Sequence, residues 1–138
     1  MSVQMELHKI IISEMADSQI IVLREVDGER HFPIVIGSAE AYAIDRRLKG
    51  IPSARPLTHD LLASVIERMG GHIERIEIND LSDHTYFSLI QIRRDGQLLE
   101  IDSRPSDAIA LGVATLVPIF VAEHVVKAAC AKFSPPTP

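Results

Sequence analysis

Acidic, basic and hydroxyl side chains are concentrated in one short segment of this chain. Asp102, Arg104, Ser106 and Asp107 fall within six residues, where the pattern of an apolar strand gives way to that of a helix. Side chains at such a junction can be held rigidly and still reach solvent, and a helix N-terminus favours anionic ligands. The segment could therefore bind phosphate or a metal ion, or transfer a proton. The structural alternative is that Pro105 begins the helix while Ser106 and Asp107 cap its free N–H groups.

Other charged side chains could complete a site for phosphodiester hydrolysis. That reaction needs an activated water and stabilisation of charge on the phosphoryl oxygens, which carboxylate-held metal ions, or a histidine base with arginine clamps, can supply. The candidate acids outside the first segment lie near predicted helix starts or at a strand end, and are Glu40, Asp60 and Asp80. Arg55 and Arg104 are candidate phosphate clamps, because a guanidinium holds phosphate with two parallel hydrogen bonds. His59 is the candidate base.

Each of these residues also has a structural interpretation. Glu40 and Asp60 lie in first helical turns, where the helix dipole favours an acid. His59 is next to a predicted helix cap, and Arg55 and Arg104 could pair with the carboxylates in a buried ionic network. The remaining histidines lack the spacing of zinc ligands, and are His8, His31, His72, His84 and His124. The functional interpretation requires three helix N-termini to converge on one side of a sheet.

The elements that must position these residues are those of one α+β domain, with about four helices and a twisted, mostly antiparallel or mixed sheet. Strands are predicted at Met5–Ile12, Gln19–Val26, Glu29–Ile36, His72–Leu81, Thr85–Arg94, Gln97–Ser103 and Pro118–Val121. Helices are predicted at Ala39–Leu48, Thr58–Met69, Pro105–Thr115 and Ala122–Lys132. Ser38 and Thr58 are the predicted caps of the first two helices. We assign residues 1–132 to the domain and 133–138 to a frayed, proline-rich tail.

Two Asp-Gly turns predict the register of the strands beside them. Asp27-Gly28 and Asp95-Gly96 suit two-residue turns that require positive φ, and such turns fix which residues face each other. The resulting cross-strand pairs are Leu23 with Phe32, Ile21 with Ile34, Ile92 with Leu99, Ile90 with Ile101 and Asp102 with Leu89. Asp102 therefore lies on the face opposite to the isoleucines.

Composition limits the classes of function. The chain has 138 residues, of which 46% are hydrophobic and 24% charged, as in a soluble globular domain. It has no apolar run long enough to span a bilayer, no basic leader and a single cysteine, Cys130, which predicts a cytoplasmic protein. A net charge of −5 and 4% aromatic residues argue against tight nonspecific binding of nucleic acid and against a base-stacking platform. The composition does not exclude brief contact between nucleic acid and a local site.

Four segments with compatible spacing resemble the motifs of a known family. They are Ile36–Ala41, Arg55–Leu62, Asp102–Leu111 and Pro118–Glu123. Together they resemble the bifunctional nuclease (BFN) domain family, over about Val3 to Val126. The resemblance implies a compact α+β domain that forms homo-oligomers, a dimer being favoured, and nuclease activity on DNA and RNA as in plant relatives. Many bacterial members carry a further C-terminal domain of the UvrB/UvrC-interacting type, and this sequence resembles a bacterial single-domain member without it.

The motifs and the chemistry together give a set of expected site residues. The expected catalytic groups are Asp102, Asp107, His59 and Asp60. The expected substrate-binding groups are Arg55, Arg104 and Ser106, and the expected ligands of a divalent metal, Mg²⁺ or Mn²⁺, are Glu40, Asp102 and Asp107. Nucleic acid would be a transient substrate. The alternative is a non-catalytic, homo-oligomeric binding or regulatory module in which the same residues organise the fold and the interface.

Overall fold

In a computed structural model that describes residues 1–133, the chain forms one α+β domain with a seven-stranded mixed sheet. The strands are β1 (Ser2–Ile11), β2 (Ser18–Glu25), β3 (His31–Gly37), β4 (His72–Ser82), β5 (Thr85–Arg94), β6 (Gln97–Ser103) and β7 (Ile119–Ala122). The helices are α1 (Ser38–Lys49), α2 (Thr58–Arg68), α3 (Pro105–Gly112, followed by a 3₁₀ turn at Val113–Thr115) and α4 (Glu123–Phe133). The fold class that the sequence predicted is confirmed.

The sheet has the strand order β3-β2-β1-β7-β4-β5-β6. All neighbouring strands are antiparallel except β4 and β7, which are parallel, and this pair makes the sheet mixed. The predicted cross-strand pairs are confirmed, namely Leu23 with Phe32, Ile21 with Ile34, Ile92 with Leu99, Ile90 with Ile101 and Asp102 with Leu89. Asp102 consequently lies on the face of β6 that points away from Ile101.

The helices pack on one face of the sheet and enclose two groups of buried apolar residues. The larger group joins α1, α3 and α4 to the central strands, with Ile44, Ile109 and Val125 fully or almost fully buried. The smaller group joins α3 to β4 and β5, and α2 adds only the partly buried Ala63 and Ile66. No residue of α2 is fully buried. This helix therefore depends less on the apolar core for its position than the other three do.

The structure corrects the predicted helix caps. Leu57, and not Thr58, is the N-cap residue of α2, and its N–H donates to Asp60 Oδ2 at 3.0 Å. Ser38 begins α1 instead of capping it, and its hydroxyl donates to the carbonyl of Asp17 at 3.0 Å. Pro105 begins α3 as predicted, but within the described residues neither Ser106 nor Asp107 caps that helix. Asp107 uses its oxygens elsewhere, as described below.

Two further expectations concern the chain as a whole. In the part of the chain that the structure describes, no helix is both long and apolar enough to cross a membrane. The tail predicted at 133–138 lies outside the described residues, apart from Phe133, which ends α4. The division into a domain and a tail stays a prediction.

Candidate functional site

Side chains from the starts of three helices meet in one hydrogen-bonded group, which we call the four-residue cluster (His59, Asp107, Arg104 and Glu40). His59 Nε2 lies 3.0 Å from Asp107 Oδ1. Asp107 Oδ2 accepts hydrogen bonds from Arg104 Nε at 3.0 Å and Nη2 at 2.8 Å. Arg104 Nη2 also donates to Glu40 Oε1 at 2.7 Å. The helix N-termini therefore converge as the functional interpretation required.

The position of Glu40 depends on a glycine three residues before it. Glu40 folds back over the start of α1, and its side chain is 14% exposed. A Cβ atom at position 37 would lie 2.5 Å from Glu40 Oε2, a distance that real Cβ atoms do not adopt. A side chain at position 37 would therefore force this carboxylate to shift from its present position.

The cluster borders an open pocket of about 480 Å³ between α1 and α2. Both apolar and polar side chains line it, among them Ala43, Leu57, His59 and Asp107. The exposed fraction of the side chain rises from 13% at His59 to 34% at Asp107 and 67% at Arg104. A solute can therefore contact the guanidinium freely and reach His59 through the pocket.

The charges of the cluster determine which atom is the acceptor in the hydrogen bond between His59 and Asp107. Burial acts to raise the pKa of Asp107, but hydrogen bonds from His59 and Arg104 outweigh it and lower that pKa. Asp107 is therefore an ionised acceptor at neutral pH, so His59 Nε2 must be the donor in their hydrogen bond. In neutral His59 this leaves Nδ1 with a lone pair that can take a proton.

Asp60 points away from the four-residue cluster and towards the end of α1. Its Oδ2 accepts from Arg46 Nη2 at 3.0 Å, and its Oδ1 accepts from Arg47 Nη1. The backbone N–H of Leu57 lowers the pKa of Asp60, and both arginines add to this effect against the opposing effect of burial. Asp60 is thus ionised and fully engaged by structural partners.

Arg47 joins the three helices that carry the cluster. Arg47 lies on α1 and binds Asp60 on α2. It also donates from Nε to the carbonyl of Ala110 at 2.7 Å, and from Nη2 to the carbonyl of Leu111 at 3.0 Å. These carbonyls belong to the last turn of α3, where backbone acceptors lack partners within the helix. The Arg47 side chain is only 9% exposed. One buried guanidinium therefore holds α1, α2 and α3 together.

We expect Asp60→Asn to lower the free energy of unfolding at pH 7 by about 2 kcal/mol, the size of a hydrogen bond to a charged group. Because folding lowers the pKa of Asp60, its contribution is complete above the unfolded value of about 3.9 and is lost as the pH falls through the lower folded value. The difference in Tm between wild type and variant should therefore be full near pH 7 and shrink below about pH 4. Asp95→Asn is the control, since that side chain is 91% exposed. A difference that persisted unchanged to pH 2.5 would contradict this account.

Besides Asp60, three further expected site residues do not join the cluster. Asp102 is exposed on β6, and its carboxylate makes no hydrogen bond or ion pair with any described residue. Arg55 is exposed in the loop before α2, where its carbonyl accepts from the Ser53 hydroxyl at 2.7 Å and its guanidinium has no ion-pair partner among residues 1–133. Ser106 is 5% exposed, which hinders direct contact with a substrate. Their assigned roles stay predictions.

The expected metal ligands, as arranged here, do not fit a metal ion. Within residues 1–133, no three His, Cys, Asp or Glu side chains are grouped so that they could hold one. The guanidinium of Arg104 lies between the carboxylates of Glu40 and Asp107 and satisfies both. A cation would have to displace that guanidinium to bind both oxygens.

Sequence reasoning overlooked the structural importance of Arg46 and Arg47. Consecutive arginines in the last turn of a helix are ordinarily solvated and complement the helix dipole. One feature of the sequence could have indicated this role, namely Asp60 at the third position of the following helix. An acid there can complement the dipole of its own helix, and it can also form an ion pair with an arginine of a neighbouring helix. The sequence could not show that Arg47 also reaches carbonyls 63 and 64 residues further along.

Comparisons with known proteins agree with the motifs. Residues 21–134 match the model of the family described as the bifunctional nuclease domain. An uncharacterized protein of Mycobacterium tuberculosis is 34% identical over 116 residues, which are 84% of this chain and 69% of that protein. Bifunctional nuclease 2 of Oryza sativa subsp. japonica is 31% identical over 114 residues, covering 80% of this chain and 35% of the plant protein. Bifunctional nuclease 1 of Arabidopsis thaliana is 24% identical over 117 residues, covering 82% of this chain and 36% of the plant protein.

The chain thus spans about a third of the length of these plant proteins, and more than two thirds of the bacterial one. The family match extends over most of the chain and includes every residue of the four-residue cluster. This protein belongs to the bifunctional nuclease domain family.

Proposed function

We propose that this protein hydrolyses phosphodiester bonds of DNA and RNA, with His59 as general base. The observation that carries the proposal is the four-residue cluster, which combines a base, a carboxylate that orients it and an exposed guanidinium beside one open pocket. The names of the plant relatives, bifunctional nucleases, support this class of reaction. We further propose a cytoplasmic location and a homo-oligomeric state.

In the proposed reaction, His59 Nδ1 accepts a proton from a water molecule as its oxygen attacks phosphorus. Asp107 holds the imidazole through Nε2 and stabilises the imidazolium that forms. Arg104 uses Nε and Nη2 within the cluster, while Nη1 makes no bond to a described residue and can donate to a phosphoryl oxygen. The bond from phosphorus to the leaving oxygen breaks, and that oxygen takes a proton from solvent. Glu40 positions Arg104 throughout.

A requirement for Mg²⁺ or Mn²⁺ stays a prediction, and no step above depends on it. Cleavage assays with and without a chelator test it directly. Activity that is lost with chelator and restored by Mg²⁺ or Mn²⁺ would support a metal, and Arg104 would then have to leave at least one carboxylate. Activity that is unchanged by chelator would favour the histidine base alone.

A second candidate is a non-catalytic, homo-oligomeric binding or regulatory module, and the charge balance favours it. Three arginines, Arg46, Arg47 and Arg104, face three carboxylates, Glu40, Asp60 and Asp107, so the two ion-pair groups are neutral together. A phosphate-binding site usually has an excess of positive charge. In this alternative the cluster serves to organise the fold.

Arg104→Ala distinguishes the two candidates. If the protein is a nuclease, we expect about a 100-fold loss of cleavage, the effect of removing one donor that stabilises charge in the transition state. The Tm should change by only a few degrees, because a 67% exposed side chain forms ion pairs that contribute no more than about 1 kcal/mol. Labelled single-stranded and duplex oligonucleotides of DNA and RNA are the substrates, and Arg24→Ala, at an exposed arginine of β2, is the matched control.

The other outcomes are equally informative. If wild type cleaves nothing while Arg104→Ala lowers the Tm or dissociates an oligomer, the non-catalytic module is the better description. Equal cleavage by wild type, Arg104→Ala and Asp107→Asn would indicate a contaminating nuclease, and the proposed activity would be abandoned.

A further inference from the structure

One tyrosine lines the pocket beside the four-residue cluster, and the proposed reaction gives it no role. This residue, Tyr42, lies on α1 and is 49% exposed. Its hydroxyl makes no hydrogen bond with any described residue. A large ring that is half exposed and has no polar partner is available to a ligand.

The two walls of the pocket differ in the chemistry that they present. Four residues of α1 line it at the spacing of one helix face, namely Ala39, Tyr42, Ala43 and Arg46. The two alanines leave space beside the tyrosine ring. The start of α2 contributes Leu57, which is also 49% exposed. The pocket thus has an aromatic ring on one wall and an aliphatic side chain on the other, and its volume of about 480 Å³ is that of a small-molecule site.

The charges of the pocket favour a neutral group over a phosphate. Glu40 and Asp107 both line it, so a phosphate inside would meet two carboxylates. Arg46 also lines it, but its guanidinium is already engaged by two oxygen acceptors. Arg104, in contrast, is 67% exposed and binds the two carboxylates from outside this lining. A phosphate is therefore better placed at Arg104, with a flat, uncharged group in the pocket.

We propose that the pocket receives one nucleobase, which stacks on Tyr42 while the adjoining phosphate stays at Arg104. Every base has a π face, so a stacking ring accepts bases of any sequence. In a duplex the faces of each base are covered by its neighbours, and a base must leave the stack before it can enter such a pocket. The protein therefore acts on single-stranded DNA and RNA in preference to duplexes. This inference rests on the proposed function for the position of the phosphate.

The low aromatic content of the chain agrees with a single stacking site. Aromatic residues make up 4% of the sequence, which argues against a platform that stacks several bases in a row. One ring beside one pocket holds only the nucleotide next to the reacting phosphate and leaves the rest of the strand in solvent. Binding is then brief and local, as expected for a chain with a net charge of −5.

Fluorescence anisotropy with two labelled single-stranded probes tests the stacking contact. One probe is a short oligothymidylate, and the other has the same length but a stable abasic sugar at every position, so the two differ only in their bases. We expect wild type to bind the first probe about 10-fold more tightly, the effect of one stacked base. Tyr42→Ala should bind both probes equally, whereas Tyr42→Phe should keep the preference because it keeps the ring. Gel analysis after each titration checks that the probes are intact.

Leu48→Ala is the matched control for Tyr42→Ala. Leu48 lies on the same helix and is also 49% exposed, but it does not line this pocket, so the variant should keep the preference for bases. In cleavage assays, Tyr42→Ala should raise KM for single strands about 10-fold and leave kcat nearly unchanged, since a stacked base is bound equally in ground state and transition state. Both alanine variants should keep a Tm close to that of wild type.

Three results would overturn the proposal. They are a preference for bases that survives in Tyr42→Ala, a wild type that binds the two probes equally or binds neither, and faster cleavage of duplexes than of single strands by wild type. A wild type that prefers the base-containing probe through Tyr42 but cleaves no oligonucleotide would refute the nuclease proposal and leave the stacking contact standing. The two proposals can therefore fail separately.

Discussion

Replacing Arg47 by methionine is expected to lower the free energy of unfolding by about 3–5 kcal/mol, the usual cost of breaking one side of a buried ion pair. Methionine fills a similar volume but donates no hydrogen bond, so Asp60 loses one partner and the carbonyls of Ala110 and Leu111 lose theirs. For a chain of this size the Tm should fall by about 10–20 °C. Thermal and urea unfolding followed by circular dichroism measure the change.

The control for this variant is Arg93→Met. Arg93 also forms an ion pair, with Glu74 Oε1 at 2.9 Å, but its side chain is 43% exposed. Such a pair contributes about 1 kcal/mol or less. If both variants lost the same small amount of stability, Arg47 would be an ordinary surface residue and would not link the three helices.

Arg47→Met should also act locally before the whole chain unfolds. Helix α2 has no fully buried residue, and Asp60 links it to α1 through Arg46 and Arg47. Amide hydrogen exchange in residues 58–68 should therefore accelerate more than in α4, which the core holds through Val125 and Val126. Uniform acceleration along the chain would mean that Arg47 contributes only to global stability.

The strands were predictable because each signal was local. Asp95-Gly96 forms the expected two-residue turn with positive φ at both residues, and the alternation of apolar residues determines the pairing of β5 with β6. The expectation of positive φ at Asp27-Gly28 was wrong, although the predicted register of β2 with β3 is confirmed. The pair Ile90–Ile101 follows from the turn alone. Prolines are equally local signals, and Pro105 begins α3 as expected.

The side-chain contacts of the site were less predictable because they depend on distant partners. Asp107 has the sequence position of a capping acid, yet its oxygens bind Arg104 and His59, the latter 48 residues away. Asp60 and His59 are neighbours in one motif, but successive residues on a helix point about 100° apart, so they serve different clusters. Only the packing of α1, α2 and α3 decides which acid meets which base.

His59 is the proposed general base of the four-residue cluster. Among the cluster residues, its replacement is therefore expected to reduce cleavage most. We expect His59→Ala to reduce the rate of oligonucleotide cleavage by about 10²–10⁴-fold, the usual contribution of a general base. The effect on stability should be small, since Asp107 keeps both hydrogen bonds from Arg104. His124→Ala is the matched control, because His124 also lies near a carboxylate, Asp80 Oδ1 at 3.4 Å, but is 66% exposed and outside the cluster.

Imidazole added to the His59→Ala variant distinguishes a base from a residue that merely supports the fold. The pocket beside His59 holds about 480 Å³ and is open, so a free imidazole can enter the space that the side chain leaves. Recovery of cleavage with imidazole in His59→Ala, but not in Arg104→Ala, is expected only if the ring acts chemically. Asp107→Asn should show an intermediate loss, because the amide no longer provides the ionised acceptor that fixes the Nε2–H tautomer. If His59→Ala retained full activity, the general base would be another group. The proton transfer would then have to be assigned to residues other than His59 and Asp107.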